Sequence, residues 1–294
     1  MIRTAFAAIA LALALPLSPA SAQDAIPAGA TGIVRMEHIS VISIGEGEPV
    51  VLIPGLSSPR AVWDGIAPEL ARTHRVLLVQ VNGFAGDDPG ANVKPGVLDG
   101  VIADLDKLIA REKLEKPAII GHSMGGLVGM MLASRHPDRV GRLMVVDALP
   151  FIGTLFGAKD VAGIIARSEQ MRDMMLAAKR MPTPVTTDPG GIWSNTPEGR
   201  IRIANWSAKT DARVSAQAMH EVMTTDIRPE LAKIAARPFT VLYATGGGPQ
   251  ATAIWQREYA GSPATLVAVP DSYHFVMLDQ PTRFAAEVEA FLAQ

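Results

Sequence analysis

Apolar residues recur along this chain with two alternating rhythms. Segments 34–44, 50–53, 75–81, 117–120, 142–146, 239–243 and 264–269 are short apolar or β-branched runs bounded by turn-forming residues. Runs of that length and make-up read as strands. Between them lie stretches with helical spacing at 61–72, 98–113, 124–136, 251–260 and 281–292. In 98–113, Leu98, Ile102, Leu105 and Ile109 share one face, because positions three and four apart stack on a helix. Strand and helix patterns in alternation predict an α/β fold with a mostly parallel central sheet and helices on both faces.

The alternation lapses between 151 and 225, where no convincing strand pattern occurs. That stretch has a Met-rich helical pattern (Met171, Met174, Met175, Met181), a loop rich in Pro, Gly and Thr at 182–197, and a second helical pattern at 198–222. It reads as a helical cap at 151–225, inserted between core segments 23–150 and 226–294. Ordinary crossover helices with long loops are the alternative.

The amino terminus follows neither rhythm. Arg3 precedes an apolar run at 5–17, and Ala20-Ser21-Ala22 ends it with the small-residue pattern that precedes signal-peptidase cleavage. Residues 1–22 therefore read as a signal peptide. The run is short for a membrane span and is broken by Pro16 and Pro19. The expected product begins at Gln23, is periplasmic or secreted, and keeps no stable membrane span. The sequence contains no cysteine, so the exported protein must rest on its core rather than on disulfides.

Charge narrows the function. Lys and Arg number 27 against 29 Asp and Glu, with no basic stripe of the kind that grips nucleic acid. The six histidines form no His-x-x-x-His pair, so no metal site is expected, and no cofactor motif stands out. The most informative stretch is Pro117-Ala118-Ile119-Ile120-Gly121-His122-Ser123-Met124-Gly125-Gly126. A buried strand runs there into Gly-x-Ser-x-Gly and on into a helix, the setting in which this motif carries meaning. A serine hydroxyl is a poor nucleophile until a sharp turn exposes it beside a base and a pair of N–H donors.

With this motif in place, the chain resembles the α/β-hydrolase family over nearly all of residues 23–294. The resemblance rests on the ordered occurrence of Val50-Val51-Leu52-Ile53-Pro54-Gly55-Leu56, Val79-Gln80-Val81-Asn82-Gly83-Phe84, Gly121-His122-Ser123-Met124-Gly125-Gly126 and Asp271-Ser272-Tyr273-His274-Phe275. It implies a serine hydrolase with Ser123 as nucleophile and His274 as general base and later acid. The backbone N–H groups of Leu56 and Met124 would form the oxyanion hole. Most of the family places its triad acid after the strand assigned here to 239–243, yet Ala244-Thr245-Gly246-Gly247-Gly248-Pro249-Gln250 holds no carboxylate. Asp147 is the substitute, 24 residues beyond Ser123 and directly after the strand at 142–146. Asp226 and Asp271 are its rivals, while Asp279 reads as a cap for the last helix. His122 reads as a packed neighbour without a catalytic role.

A serine at the elbow points to acyl transfer through an acyl-enzyme, with small apolar carboxylic esters as the expected substrates. Phe151, Phe156, Met171, Met175, Trp193 and Phe275 are candidates to line the substrate site. A cofactor-free perhydrolase, a C–C bond hydrolase or an amidase on the same triad is the alternative. A non-enzymatic binding protein on the same fold is a further one.

Overall fold

The apolar runs pair into one sheet in a computed structural model that describes residues 30–179, 182–234 and 237–294. The expected signal peptide 1–22, Arg180 and Met181 lie outside the described residues. The strands are β1 (Ile33–Arg35), β2 (Ile39–Ile44), β3 (Glu48–Ile53), β4 (His74–Val81), β5 (Ala118–His122), β6 (Arg142–Val146), β7 (Phe239–Ala244) and β8 (Thr265–Val269). Their spatial order is β1-β2-β4-β3-β5-β6-β7-β8. β2 pairs antiparallel with β1 and β4, and every later pairing is parallel. The expected α/β architecture with a mostly parallel sheet is what the chain adopts.

The helices are α1 (Ala67–Leu70), α2 (Val97–Arg111), α3 (Met124–Arg135), α4 (Ile165–Ala177), α5 (Pro197–Lys209), α6 (Ala212–Thr224), α7 (Leu231–Ile234), α8 (Pro249–Glu258), α9 (Val276–Asp279) and α10 (Pro281–Leu292). Side chains alternate between the two faces of a strand, so the sheet divides the core in two. Val51, Ile53, Leu77, Val79 and Ile119 face one layer with α2 and α3. Val50, Leu52, Val76, Leu78 and Ile120 face another that contains Trp63, Phe284 and Val288. Between β6 and β7 all the described regular elements are helical.

Three sequence expectations change in the fold. The run at 34–44 breaks into the hairpin β1–β2, because the His38 N–H leaves the ladder to donate to the buried Asp104 carboxylate at 2.7 Å. The helix expected at 61–72 shrinks to a 3-10 turn at Arg60–Trp63 and the single turn α1. Pro68 explains this, since proline has no N–H and its ring clashes with the preceding turn of a helix. The helix expected at 198–222 splits into α5 and α6 at Thr210 and Asp211. Thr210 Oγ1 accepts from Ala85 N, Asp211 N donates to the Gly83 carbonyl, and the Asp211 side chain caps α6 through Arg213 N.

Because β3, β5, β6, β7 and β8 run parallel, their carboxyl ends share one edge of the sheet. In open α/β sheets that edge is where ligands bind. The loops carrying Leu56, Ser123, Asp147 and His274 all follow strands that end there.

Candidate active site

Ser123 is the single residue between β5 and α3, held at φ 52° and ψ −121°. Such a backbone costs a non-glycine residue about 1–3 kcal/mol, and persists only where the surroundings enforce it. Here the Ser123 N–H donates to the Val146 carbonyl at the end of β6 at 2.8 Å. The flanking glycines make the turn possible. A Cβ on Gly121 would overlap the Gly125 carbonyl, and one on Gly125 would overlap the carbonyls of Ile53 and Pro54. The start of α3 is therefore packed directly on the end of β3. Met124 is the first residue of α3, so its N–H has no intrahelical acceptor. The half-buried Leu56 follows the end of β3 on the same edge.

His274 and Asp147 meet. His274 Nδ1 lies 2.7 Å from Asp147 Oδ2. An ionised carboxylate only accepts hydrogen bonds, so Nδ1 donates here, and in the neutral ring Nε2 is the nitrogen left to accept a proton. Asp147 has its own left-handed backbone, φ 49°. Its N–H donates to the Leu242 carbonyl at 2.7 Å, and its Oδ1 accepts from Ala244 N at 2.9 Å. The carboxylate thus reaches from the end of β6 to the end of the neighbouring β7, where the segment 244–250 lacks an acid of its own. Asp226 is engaged elsewhere, in a two-point contact with the Arg228 guanidinium. Asp271 is exposed, and its carbonyl accepts from Gln280 at 2.8 Å.

Asp279 does not cap α10, whose N-cap Gln280 makes no side-chain cap bond. Its carboxylate instead accepts from Tyr273 N at 2.7 Å, Ser194 Oγ at 2.5 Å and Asn195 N at 3.1 Å. With Phe275 N donating to the Trp193 carbonyl at 3.0 Å, it ties residues 193–195 to the His274 loop. Sequence spacing could not announce this, because the partners lie 84 residues apart. A second unannounced link joins Ser57 Oγ to Ser215 Oγ at 2.7 Å, connecting the Leu56 loop to α6.

The candidate substrate residues separate. Trp193 is half exposed and places its ring edge-on to His274 at 5.5 Å. Phe275 is buried, with its ring against His122 at 4.7 Å. Phe151 is fully enclosed with Ile164 and Met223, and Met171 packs against that cluster. Phe156 is exposed beneath the Arg167 guanidinium, and Met175 is half buried. A cavity of about 210 Å³ lined by Val62, Ile66, Arg202, Met277 and Leu278 includes none of Ser123, Asp147 or His274. Burial pushes His122 well below the usual histidine range, with the adjacent His274 adding to the effect. Burial likewise raises Tyr259, whose hydroxyl donates to the Ala148 carbonyl just beyond Asp147. Among the described residues no acid and histidine cluster could hold a metal, and no helix is long and apolar enough to cross a membrane.

Comparison with known proteins gives the family of the chain. Residues 50–287 match the model of the alpha/beta hydrolase family. A pimeloyl-[acyl-carrier protein] methyl ester esterase of Aeromonas hydrophila is 38% identical over 112 residues, 38% of this chain and 42% of that protein. The enzyme of the same name from Nitrosospira multiformis is 24% identical over 258 residues, 85% of this chain and 97% of its own length. A solved structure of a hydrolase from Pseudomonas aeruginosa superposes with a TM-score of 0.70 at 22% identity, over 90% of this chain and 99% of that one. A family match running from β3 into the last helix makes this chain a hydrolase of the alpha/beta hydrolase family.

Proposed function

We propose that this protein is a serine carboxylesterase in which Ser123 attacks the ester carbonyl, His274 moves the proton, and Asp147 orients His274. The observation that carries this reading is the 2.7 Å contact from His274 Nδ1 to Asp147 Oδ2, on the sheet edge where Ser123 forms the elbow. With Nδ1–H committed to Asp147, Nε2 is the atom that accepts the Ser123 proton. The resulting imidazolium is stabilised by the carboxylate and then protonates the leaving alkoxide. The N–H groups of Met124 and Leu56 stabilise the oxyanion of the tetrahedral intermediate. Water, activated by the same histidine, then releases the acyl group from Ser123. Esters are favoured because an alkoxide leaves more readily than an amine.

Residues 151–225 act as a cap over this edge, with Trp193 as the wall next to His274. The relatives named as methyl ester esterases support an ester substrate. Exposed apolar side chains at Leu155, Phe156 and Trp193 favour one with an apolar acyl or alcohol part. Residues 1–22 direct export and are removed at Ala22; an intact mass beginning at Gln23 in exported material tests this, and a retained leader refutes it. The catalytic reading is tested with a fluorophosphonate probe. Wild-type protein should be labelled and Ser123→Ala should not; equal labelling of both ends the proposal. A series of aryl esters from acetate to palmitate, beside matching amides, then defines the acyl preference.

A further inference from the structure

We propose that His122, the residue preceding Ser123, is a positioning residue that locks the His274 loop and the Pro54-Gly55 turn around the nucleophile. The inference rests on the assignment of Ser123, His274 and Asp147 above, and on contacts of His122 that this assignment leaves unused.

His122 is the last residue of β5 and is fully buried. Its Nε2 lies 2.9 Å from the His274 carbonyl oxygen. A carbonyl only accepts, so Nε2 must bear the hydrogen. The neutral ring then has a bare lone pair at Nδ1. That atom is buried and has no hydrogen-bond partner among the described residues. What faces it is Gly55: a Cβ at that position would lie 2.7 Å from His122 Nδ1 and 3.1 Å from Ser123 Cβ. Gly55 is therefore the residue that leaves room for the imidazole. It is also the residue before Leu56, a proposed oxyanion donor.

The ring is confined in other directions as well. His274 and Phe275 both pack on it, each with ring centroids 4.7 Å away. One side chain thus touches the backbone of the general base, the ring of the general base and the turn that presents an oxyanion N–H. It is covalently next to the nucleophile. Burial keeps this imidazole neutral, as its depressed basicity indicates. Neutrality is required twice: a second proton has no acceptor at the Gly55 face, and a charged ring would oppose the imidazolium that forms on His274.

A histidine that merely filled space would impose no preference on its N–H and would not affect the His274–Asp147 contact. The two roles separate in the wild-type protein by nitrogen and proton magnetic resonance of the histidine rings. His122 should appear as the Nε2–H tautomer and remain untitrated across the range where ordinary histidines take up a proton. An Nδ1–H tautomer, or ordinary titration, overturns the proposal whatever any variant does. In variants, His122→Phe keeps a ring and loses the N–H. It should lower kcat by about 10- to 100-fold with KM unchanged, since a misplacement of order 1 Å at reacting groups costs about that much. It should also shift the low-field Nδ1–H resonance of His274. His122→Gln, whose amide can reach the same carbonyl, should recover most of the loss. Wild-type kcat and an unmoved His274 resonance in His122→Phe would refute the idea. Failure of Ser123 to take the fluorophosphonate label would overturn the esterase reading alone, because the His122 tautomer is read without turnover.

Discussion

The elbow helix and the first long helix of the 151–225 segment have nearly the same length and opposite surroundings. In α3, ten of twelve residues are buried, from Met124 to Ala133. In α4, Ser168 is the one buried residue of thirteen, while Ile165, Met174 and Leu176 are exposed. α3 is held on all sides, with Gly126 and Gly129 against Val145 and Leu143 and Gly125 against the end of β3. α4 is fastened chiefly to α6, where Ser168 Oγ lies 3.0 Å from His220 Nδ1. Catalytic geometry tolerates little displacement, and the proposed nucleophile sits where packing over-determines position. The segment proposed to meet substrate sits where packing is loose and side chains are free to adapt.

Substitutions along the strand-end edge should therefore be far more damaging than equivalent ones in the helical segment. The largest effect is expected from Asp147→Asn, which should lower kcat by about 10⁴-fold, as loss of an orienting acid does elsewhere. Asp226→Asn, at the exit of the helical segment, should leave turnover near wild type in the same aryl-ester assay. A reversed outcome would relocate the acid and break the comparison. Next comes Gly121→Ala, whose Cβ would strike the Gly125 carbonyl. Overpacking costs about 1–3 kcal/mol, and denaturant unfolding should show a lowered midpoint with an unchanged slope.

A smaller effect is expected from acid. His122 is neutral in the folded protein, with its affinity for protons held below the ordinary histidine value of about 6.5 by burial and by His274. The unfolded chain therefore binds the extra proton. This contribution is fully present above about pH 6.5 and is lost as pH falls, at up to about 1.4 kcal/mol per unit for one group. Thermal unfolding from pH 7.5 down to 5.5 should show a flatter decline in His122→Gln than in wild type. Smallest of all, Met174→Ala on α4 should change stability by no more than about 0.5 kcal/mol, the ordinary range for an exposed site. A larger loss would mean that α4 is buried by something outside this chain.

The strands were legible in the sequence to within a residue or two at β3, β4, β6 and β7, because strands buried on both faces appear as uninterrupted apolar runs, and at the half-exposed edge strand β8, whose run Thr265-Leu266-Val267-Ala268-Val269 is still mostly apolar. Misreadings came where side chains reach across the molecule. The hairpin between β1 and β2 depends on Asp104, and the break between α5 and α6 depends on Gly83 and Ala85. Neither partner is near in sequence. The proline that cut short the helix at 61–72 was visible, but the apolar spacing around it outweighed it. Candidate pocket residues were the least legible, since Phe151 and Trp193 are both aromatic residues in a helical segment and only one of them reaches solvent.

By itself, the sequence determined the α/β architecture and the serine elbow. Both are local matters: periodicity decides what a segment can bury, and Gly121 and Gly125 decide where a strand can turn directly into a helix. It also nominated Asp147 and His274 separately, each by its place after a strand. Only the tertiary structure decided that the Asp147 carboxylate spans from the end of β6 to the end of β7 and meets His274 Nδ1, while Asp226 turns to Arg228. It alone set His122 between the His274 carbonyl and Gly55, and Asp279 between Tyr273 and residues 194–195. The physical reason is that hydrogen bonds at these distances depend on the parallel register of neighbouring strands and on loop backbones that return from as far as 152 residues away.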